Sequence, residues 1–410
     1  MSCNLPYWNL VSNIPTNVEL SCAQHPRLKP GAALPRNGVT DISQQRLFLL
    51  GTLTLQSATK PALANYDLVT SRWESLHGVY ADWLEFETDQ ITTDAKSETL
   101  TRLSEIVGVA LGVAALDAEF DIRINRFQRF QPGGAARRVD FEYYADGERF
   151  FHETKGTTYE ASVQSMCDSI AGQKDSTLET LQAIGTPVGT MPVNVSGLTG
   201  SVALYRHITR PGVSCLITLI DPPLEPQIGA RPPREADELA CVLRYYQNFY
   251  RVTLPPLTNV GSLRLDLWLD DVIAGLQSGG PAPSQSPANL RTNARAFEPG
   301  ITDSPYRGSF FDARFTKRSL LRYSSLAEAT ESITSPVSFL GVSNEVTETI
   351  QRCRWDDLLS YRDARAGSKQ DIENDREILE SGVLCKRVDP NEVTNAASSA
   401  NFDLLRRIAL

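Results

Sequence analysis

The chain has 410 residues, a formal net charge of −9 and 41% hydrophobic residues, so it can bury a large core in two or three subdomains. The longest apolar stretch, residues 106–116, is too short to span a bilayer, and no signal peptide is visible at the N-terminus. Seven scattered cysteines without a CxxC pair indicate buried thiols in a reducing compartment. With only four histidines, a His-rich metal site is not expected, and the sequence predicts a cytosolic protein.

The cations are strongly skewed, with 32 Arg against 8 Lys. Arg is the planar, weakly hydrated cation that pairs with carboxylates, phosphates and aromatic faces inside contacts. The skew is what a protein shows when partners cover much of its surface. A GC-rich coding sequence would give the same skew without any functional meaning.

In the first half of the chain, one predicted strand precedes a long helix and the other strands follow it. Residues 1–45 are rich in Pro, Asn and Ser and predict a loop-rich arm. A helix is predicted over 94–116 with Asp94 as its N-cap, and a second over 176–184. An Asp-Gly pair predicts a hairpin turn between the third and fourth strands. The predicted strands are, in order, 46–56, 120–130, 138–144, 149–155, 200–205 and 214–220.

Helices follow in the second half, at 236–250 and 263–276, and residues 279–300 form a Pro- and Ser-rich loop or boundary. Ser343 is expected to cap a helix that ends at Gly367, and Ser368 to open another that ends at Gly382. The predicted class is mixed α+β, helix-richer in the C-terminal third, in a compact multi-subdomain protein. The predicted subdomains are an arm and loop-rich part (1–93), a central α/β part (94–278) and a helical part with an extended tail (279–410).

The sharpest local signal for chemistry is the hairpin over 138–157. Asp140 lies on one strand, and Glu153 and Lys155 lie on the next, which puts two carboxylates and an ammonium on one side of the hairpin. Asp140 and Glu153 can hold Mg²⁺, while Lys155 orients or deprotonates a water for attack on a phosphodiester. Glu105 in the preceding helix can add a further carboxylate.

This pattern resembles the core of the PD-(D/E)xK nucleases, although Val139 stands where those enzymes usually have Pro. The resemblance implies Glu105, Asp140, Glu153 and Lys155 as catalytic residues, with Gln173 or Lys174 on a following helix and Mg²⁺ as cofactor. Only residues 95–180 are covered. The alternative is an exposed hairpin whose charged side chains form a solvated face with no catalytic role.

An Arg-rich, aromatic segment over 120–140 is the strongest candidate contact surface. Arg interleaved with Phe on an extended chain can bind a phosphate backbone and stack on bases. The alternative is a core strand whose arginines pair with acidic neighbours. The candidate RNA-binding residues are Arg123, Arg126, Arg129, Arg137 and Arg138.

A second resemblance extends over the whole length. The segment Leu49–Leu53, the stretch Val252–Pro255 and the tail Lys386–Asn391 stand in the order found in the inner-capsid clamp proteins of turreted double-stranded RNA viruses, the orthoreoviruses and aquareoviruses. The resemblance implies a structural protein without enzyme activity, metal or other cofactor. It would bind the inner-shell capsid protein, with turret and outer-capsid proteins and double-stranded RNA as further partners, in virions assembled in the host cytoplasm.

The sequence favours the clamp over the nuclease. The clamp accounts for the Arg excess, the loop-rich N-terminus, the acidic net charge and the lack of a visible export signal. The nuclease accounts for one hairpin and one helix. The two hypotheses differ on whether Asp140 and Glu153 hold a metal ion.

Overall fold

The computed structural model describes somewhat under half of the chain. The chain divides into two compact units, one comprising 1–10, 60–82 and 243–410 and the other comprising 11–59 and 83–242, and the structure describes part of each unit. The boundaries of these two units differ from the predicted subdomain boundaries at 93/94 and 278/279. The described residues are 14–19, 38–56, 76, 85–87, 90–93, 95–120, 122–130, 140–145, 148–156, 165, 169, 173, 176, 195–201, 215–220, 235–253, 263–290, 305–311, 337–367 and 376–388.

Helices and strands are mixed in both units, so the protein is of mixed α and β class. The helices are α1 (Gln44–Gly51), α2 (Ser97–Phe120), α3 (Glu235–Thr253), α4 (Leu265–Gln277), α5 (Asn344–Gln351) and α6 (Trp355–Ser360). The strands are β1 (Ile14–Glu19), β2 (Gly38–Ile42), β3 (Glu85–Glu87), β4 (Gln90–Thr92), β5 (Phe127–Arg129), β6 (Phe141–Ala145), β7 (Glu148–Gly156), β8 (Val195–Ser201), β9 (Cys215–Ile220), β10 (Tyr306–Phe311), β11 (Val337–Ser343), β12 (Arg376–Ile378) and β13 (Val383–Val388). None of the helices within these ranges has both the length and the apolarity that a membrane crossing requires.

A seven-stranded sheet forms the centre of the second unit, in the order β2-β1-β9-β8-β7-β6-β5. Strands β5, β6 and β7 are antiparallel neighbours, and β8 runs parallel to β7. The connection from β7 to β8 is therefore a crossover, and Ser165, Ser169, Gln173 and Ser176 within it are helical. The predicted hairpin over 138–157 is confirmed as β6–β7, and the predicted strand at 214–220 as β9. The predicted strand at 200–205 corresponds to the end of β8.

Helix α2 lies close to β7 because two glycines meet. A Cβ at Gly108 would lie 2.9 Å from the Cα of Gly156, and a Cβ at Gly156 would overlap the carbonyl oxygen of Ser104. Apolar residues at helical spacing, such as Leu103, Val107 and Leu111, are completely buried. The predicted helix at 94–116 is thus confirmed, although it runs from Ser97 to Phe120 and Asp94 lies outside the described residues.

Two predicted strands of this unit are wrong in whole or in part. Residues 46–56 form α1 and a 3-10 turn, because Ser43 Oγ caps the helix by accepting from Arg46 N over 3.0 Å. The continuous apolar run there is buried on all sides, a pattern that suits a buried helix as well as a strand. In the predicted strand 120–130, Phe120 ends α2 and only β5 is extended, after a 3-10 turn at Ile124–Arg126.

The first unit contains the end of α3, then α4–α6, and a four-stranded antiparallel sheet in the order β10-β11-β13-β12. The predicted helices at 236–250 and 263–276 are confirmed as α3 and α4. Ser343 caps α5, as predicted, with its Oγ accepting from Glu345 N over 3.3 Å.

The predicted helix from Ser343 to Gly367 is wrong, because α5 stops at Gln351. Cys353 adopts the left-handed conformation (φ 53°), Arg354 N donates to Thr349 O and Cys353 N donates to Ile350 O. These two bonds form a Schellman C-cap in which Cys stands in place of the usual Gly. A helix ending at Gly382 is also wrong, since Gly382 (φ 74°) lies in the turn between β12 and β13.

Candidate functional site

The β6–β7 hairpin brings the two predicted carboxylates together. The register pairs Phe141 with His152, which places Asp140 opposite Glu153. The backbone N–H of Asp140 donates to Glu153 Oε2 over 2.9 Å. Glu153 is completely buried inside the sheet between β6 and β8, whereas Asp140 is half-buried. The spacing read from the sequence therefore corresponds to a direct contact in the fold.

Two further side chains reach the carboxyl group of Glu153. Lys155 forms an ion pair with Glu153 Oε1, since residues two apart on a strand share a face. Gln173, a buried helical residue, hydrogen-bonds the same carboxyl group. Lys174, the predicted alternative to Gln173, lies outside the described residues. We refer to Asp140, Glu153, Lys155 and Gln173 as the Glu153 cluster.

The electrostatics of the Glu153 cluster favour a proton or a cation between its two carboxyl groups. Burial raises the pKa of the Glu153 carboxyl from 4.5 to about 8; the Asp140 carboxylate adds to the rise and the Lys155 ammonium opposes it. Burial also raises the pKa of Asp140, against the opposing charges of Lys155 and Arg129. Two adjacent carboxyl groups resist double ionisation. Glu153 therefore keeps a proton near neutral pH, and a cation between the two groups would take the place of that proton.

The backbone of Glu105 lies near the Glu153 cluster, but its side chain is not part of the cluster. Its backbone N would be 3.2 Å from a Cβ placed on Gly156, the residue after Lys155. The Glu105 side chain is exposed on α2. Across the described ranges, no three His, Cys, Asp or Glu side chains come together as a metal-binding group. The cluster thus offers two carboxylates, and the predicted third remains outside it.

The arginines predicted to bind RNA have different environments. Arg126 is buried and forms an ion pair with Glu238 of α3. Arg123 is half-buried and Arg129 is exposed. Arg137 and Arg138 lie outside the described residues. Of the three that are described, only Arg129 is exposed enough to meet a nucleic acid without rearrangement.

Sequence reasoning missed a buried polar network that joins three strands. Glu142 on β6 accepts from Gln128 of β5 through one carboxylate oxygen and from Arg149 of β7 through the other. All three side chains are shielded, and Glu142 is only 6% exposed. The alternative of a hairpin with a solvated charged face would leave Glu142 exposed, so the structure contradicts that alternative at this residue. Only the strand register shows that these residues lie side by side.

Comparison of the chain with protein-family models, with curated proteins and with solved structures gives no match. The two resemblances therefore rest on the residues and their arrangement alone. The nuclease resemblance concerns a part of the chain that the structure describes in detail.

Proposed function

We propose that this protein is a divalent-metal-dependent nuclease whose active site is built on Asp140, Glu153 and Lys155. The proposal is carried by the contact between Asp140 and the completely buried Glu153, with Lys155 paired to the same carboxyl group. Burying a carboxyl group beside a second one costs stability, and such arrangements concentrate at functional sites. A hairpin with a purely structural role has no need of that cost.

The order of elements also supports the proposal. Helix α2 precedes three antiparallel strands, helical residues follow β7, and β8 then runs parallel to β7. The PD-(D/E)xK resemblance requires a helix before the carboxylate hairpin, to carry Glu105, and another after it, to carry Gln173. The helical segments before and after the hairpin support the proposal, although the side chain of Glu105 stays outside the Glu153 cluster.

Asp140 and Glu153 are the residues that would hold Mg²⁺ or Mn²⁺. Carboxylate oxygens are the hard ligands that both ions prefer. The donor set fits a divalent ion, because the ion would displace the proton of Glu153 and then face two carboxylates with the single ammonium of Lys155 beside them. When bound, such an ion supplies charge stabilisation to a phosphodiester under attack.

The side chains of the cluster have distinct roles in this proposal. Lys155 forms an ion pair with Glu153 and interacts electrostatically with Asp140. In this position its ammonium would orient or deprotonate a water and stabilise charge on the phosphate. Gln173 fixes the Glu153 carboxyl group by a hydrogen bond from the following helix. The Asp140 backbone N–H fixes its other oxygen. These contacts hold the carboxyl group in one orientation.

The test is cleavage of DNA and RNA by the purified protein in Mg²⁺ or Mn²⁺, with and without EDTA. We expect metal-dependent cutting that Asp140→Asn and Lys155→Met each reduce by about 10²-fold or more. Glu98→Gln, which alters an exposed carboxylate at the start of α2, is the matched control and should cut normally. Wild-type protein that cuts neither polymer, or Asp140→Asn that cuts at the wild-type rate, would refute the proposal.

The inner-capsid clamp stays a prediction of the sequence, together with its finer description as a compact, multi-subdomain protein with a helix-richer C-terminal third. Its support is the Arg excess and the order of short segments along the chain. A clamp would coat shells of its capsid partner and would cut neither DNA nor RNA in the assay above. The same preparation thus separates the two functions.

A further inference from the structure

Phe130 follows edge strand β5 and lies directly beside Asp140. Its backbone N–H donates to Asp140 O over 2.9 Å. Continuing the register of β5 and β6 by one pair places Phe130 opposite Asp140, and the register of β6 and β7 places Asp140 opposite Glu153. Because opposed residues of neighbouring strands share a face, these three residues form one row across the sheet, on the face that carries the two carboxyl groups.

The ring of Phe130 is held by a shielded cation on the same face. The guanidinium carbon of Arg149 lies 5.6 Å from the ring centroid, within the range of a cation–π contact. The same guanidinium donates from Nε to Glu142 Oε2 over 2.7 Å and forms an ion pair with that carboxylate. Gln128 donates to the other oxygen of Glu142. The buried polar network of the three strands thus ends on the ring beside Asp140.

The two phenylalanines of this Arg-rich segment serve opposite faces of the sheet. Phe127 is completely buried and Phe130 is 7% exposed, so neither ring presents an open face on which a base could stack. The ring of Phe127 contacts those of Tyr143 and His152, at centroid distances of 5.0 and 5.9 Å. Since the strand period is two, a spacing of three residues puts Phe130 on the other face, beside Asp140.

We propose that Phe130 is a positioning residue of the nuclease site, which holds Asp140 in line with Glu153. Asp140 has a backbone restraint on each side, because its N–H donates to Glu153 Oε2 over 2.9 Å and its carbonyl oxygen accepts from Phe130 N. Strand β5 is only three residues long and lies at the edge of the sheet, so the position of Phe130 depends on its ring, which Arg149 covers. This inference rests on the proposed function.

The test compares Phe130→Leu with Phe127→Leu, the same change on the same strand but on the opposite face. Leu keeps both positions apolar and removes only the aromatic face, and each variant is assayed below its melting temperature. Because small misplacements of a reacting group are costly, Phe130→Leu should lower kcat for an oligonucleotide in Mn²⁺ about tenfold with KM unchanged. Without substrate, it should also weaken Mn²⁺ binding about tenfold, measured from the EPR signal of free Mn²⁺.

Phe127→Leu separates positioning from general stability. Phe127 is the more deeply buried of the two, so this variant should lower the melting temperature in EDTA at least as much as Phe130→Leu, yet keep wild-type kcat and Mn²⁺ affinity. Wild-type kcat and Mn²⁺ affinity in Phe130→Leu, or the same losses in both variants, would overturn the inference while leaving the nuclease proposal intact. Wild-type protein that does not cut the oligonucleotide would overturn the nuclease proposal, and this inference with it.

Discussion

The raised pKa of Glu153 predicts an unusual dependence of stability on pH. Its carboxyl group has a pKa of 4.5 when solvated and about 8 in the fold. A carboxyl group with a raised pKa contributes fully to stability below its unfolded value, and the contribution is lost as pH rises through the folded value. A difference of one unit corresponds to about 1.4 kcal/mol, so the loss between pH 4.5 and 8 is up to about 5 kcal/mol.

Glu153→Gln removes this titration while keeping an amide that can still accept from the Asp140 N–H. Urea unfolding in EDTA from pH 5 to 8.5 should show the wild-type free energy of unfolding falling relative to that of Glu153→Gln by about 1 kcal/mol per pH unit. Glu98→Gln, at an exposed position of α2, should follow the wild type. Parallel curves for wild type and Glu153→Gln would refute the assignment of the raised pKa to Glu153.

Three further predictions concern the stability of the fold. Arg149→Met leaves Glu142 buried without its cation and should lower the free energy of unfolding in urea by about 3–5 kcal/mol. Adding Glu142→Gln to the same chain removes the unpaired charge and should restore part of that loss. Gly156→Ala forces a Cβ into the backbone of α2 and should lower the free energy of unfolding by about 1–3 kcal/mol. Gly275→Ala, with open space around it in α4, should raise the free energy of unfolding by about 0.5–1 kcal/mol. Gly382→Ala, at φ 74°, should lower the melting temperature through about 1–3 kcal/mol of strain, and an unchanged value would contradict the turn geometry.

Much of the fold near the site follows from short-range sequence signals. The Asp-Gly turn and the alternation on either side of it specify the β6–β7 hairpin, and period-3.6 apolar residues specify α2, α3 and α4. Because the strand period is two, the hairpin alone fixes Asp140, Glu153 and Lys155 on a common face. That part of the site was predictable from residue spacing.

What the sequence did not reveal depends on tertiary contacts. The apolar run around Leu47–Leu50 is buried on all sides, so its periodicity does not separate helix from strand. Cys353 ends α5 in a conformation that usually selects Gly, and no local signal marks it. Arg126 and Arg129 look equivalent in the sequence, yet the carboxylate of Glu238, more than 100 residues later, neutralises only the first. Such pairings depend on which elements meet in three dimensions.

The most direct test of the Glu153 cluster as a nuclease site is the single-turnover cleavage rate of a labelled oligonucleotide as Mn²⁺ is titrated. A metal-dependent active site predicts that the wild-type rate rises with Mn²⁺ to saturation and returns to background in EDTA. It also predicts that Glu153→Gln cuts at least about 10²-fold more slowly at every Mn²⁺ concentration. A wild-type rate that ignores Mn²⁺ and EDTA, or equal saturating rates for wild type and Glu153→Gln, would contradict it.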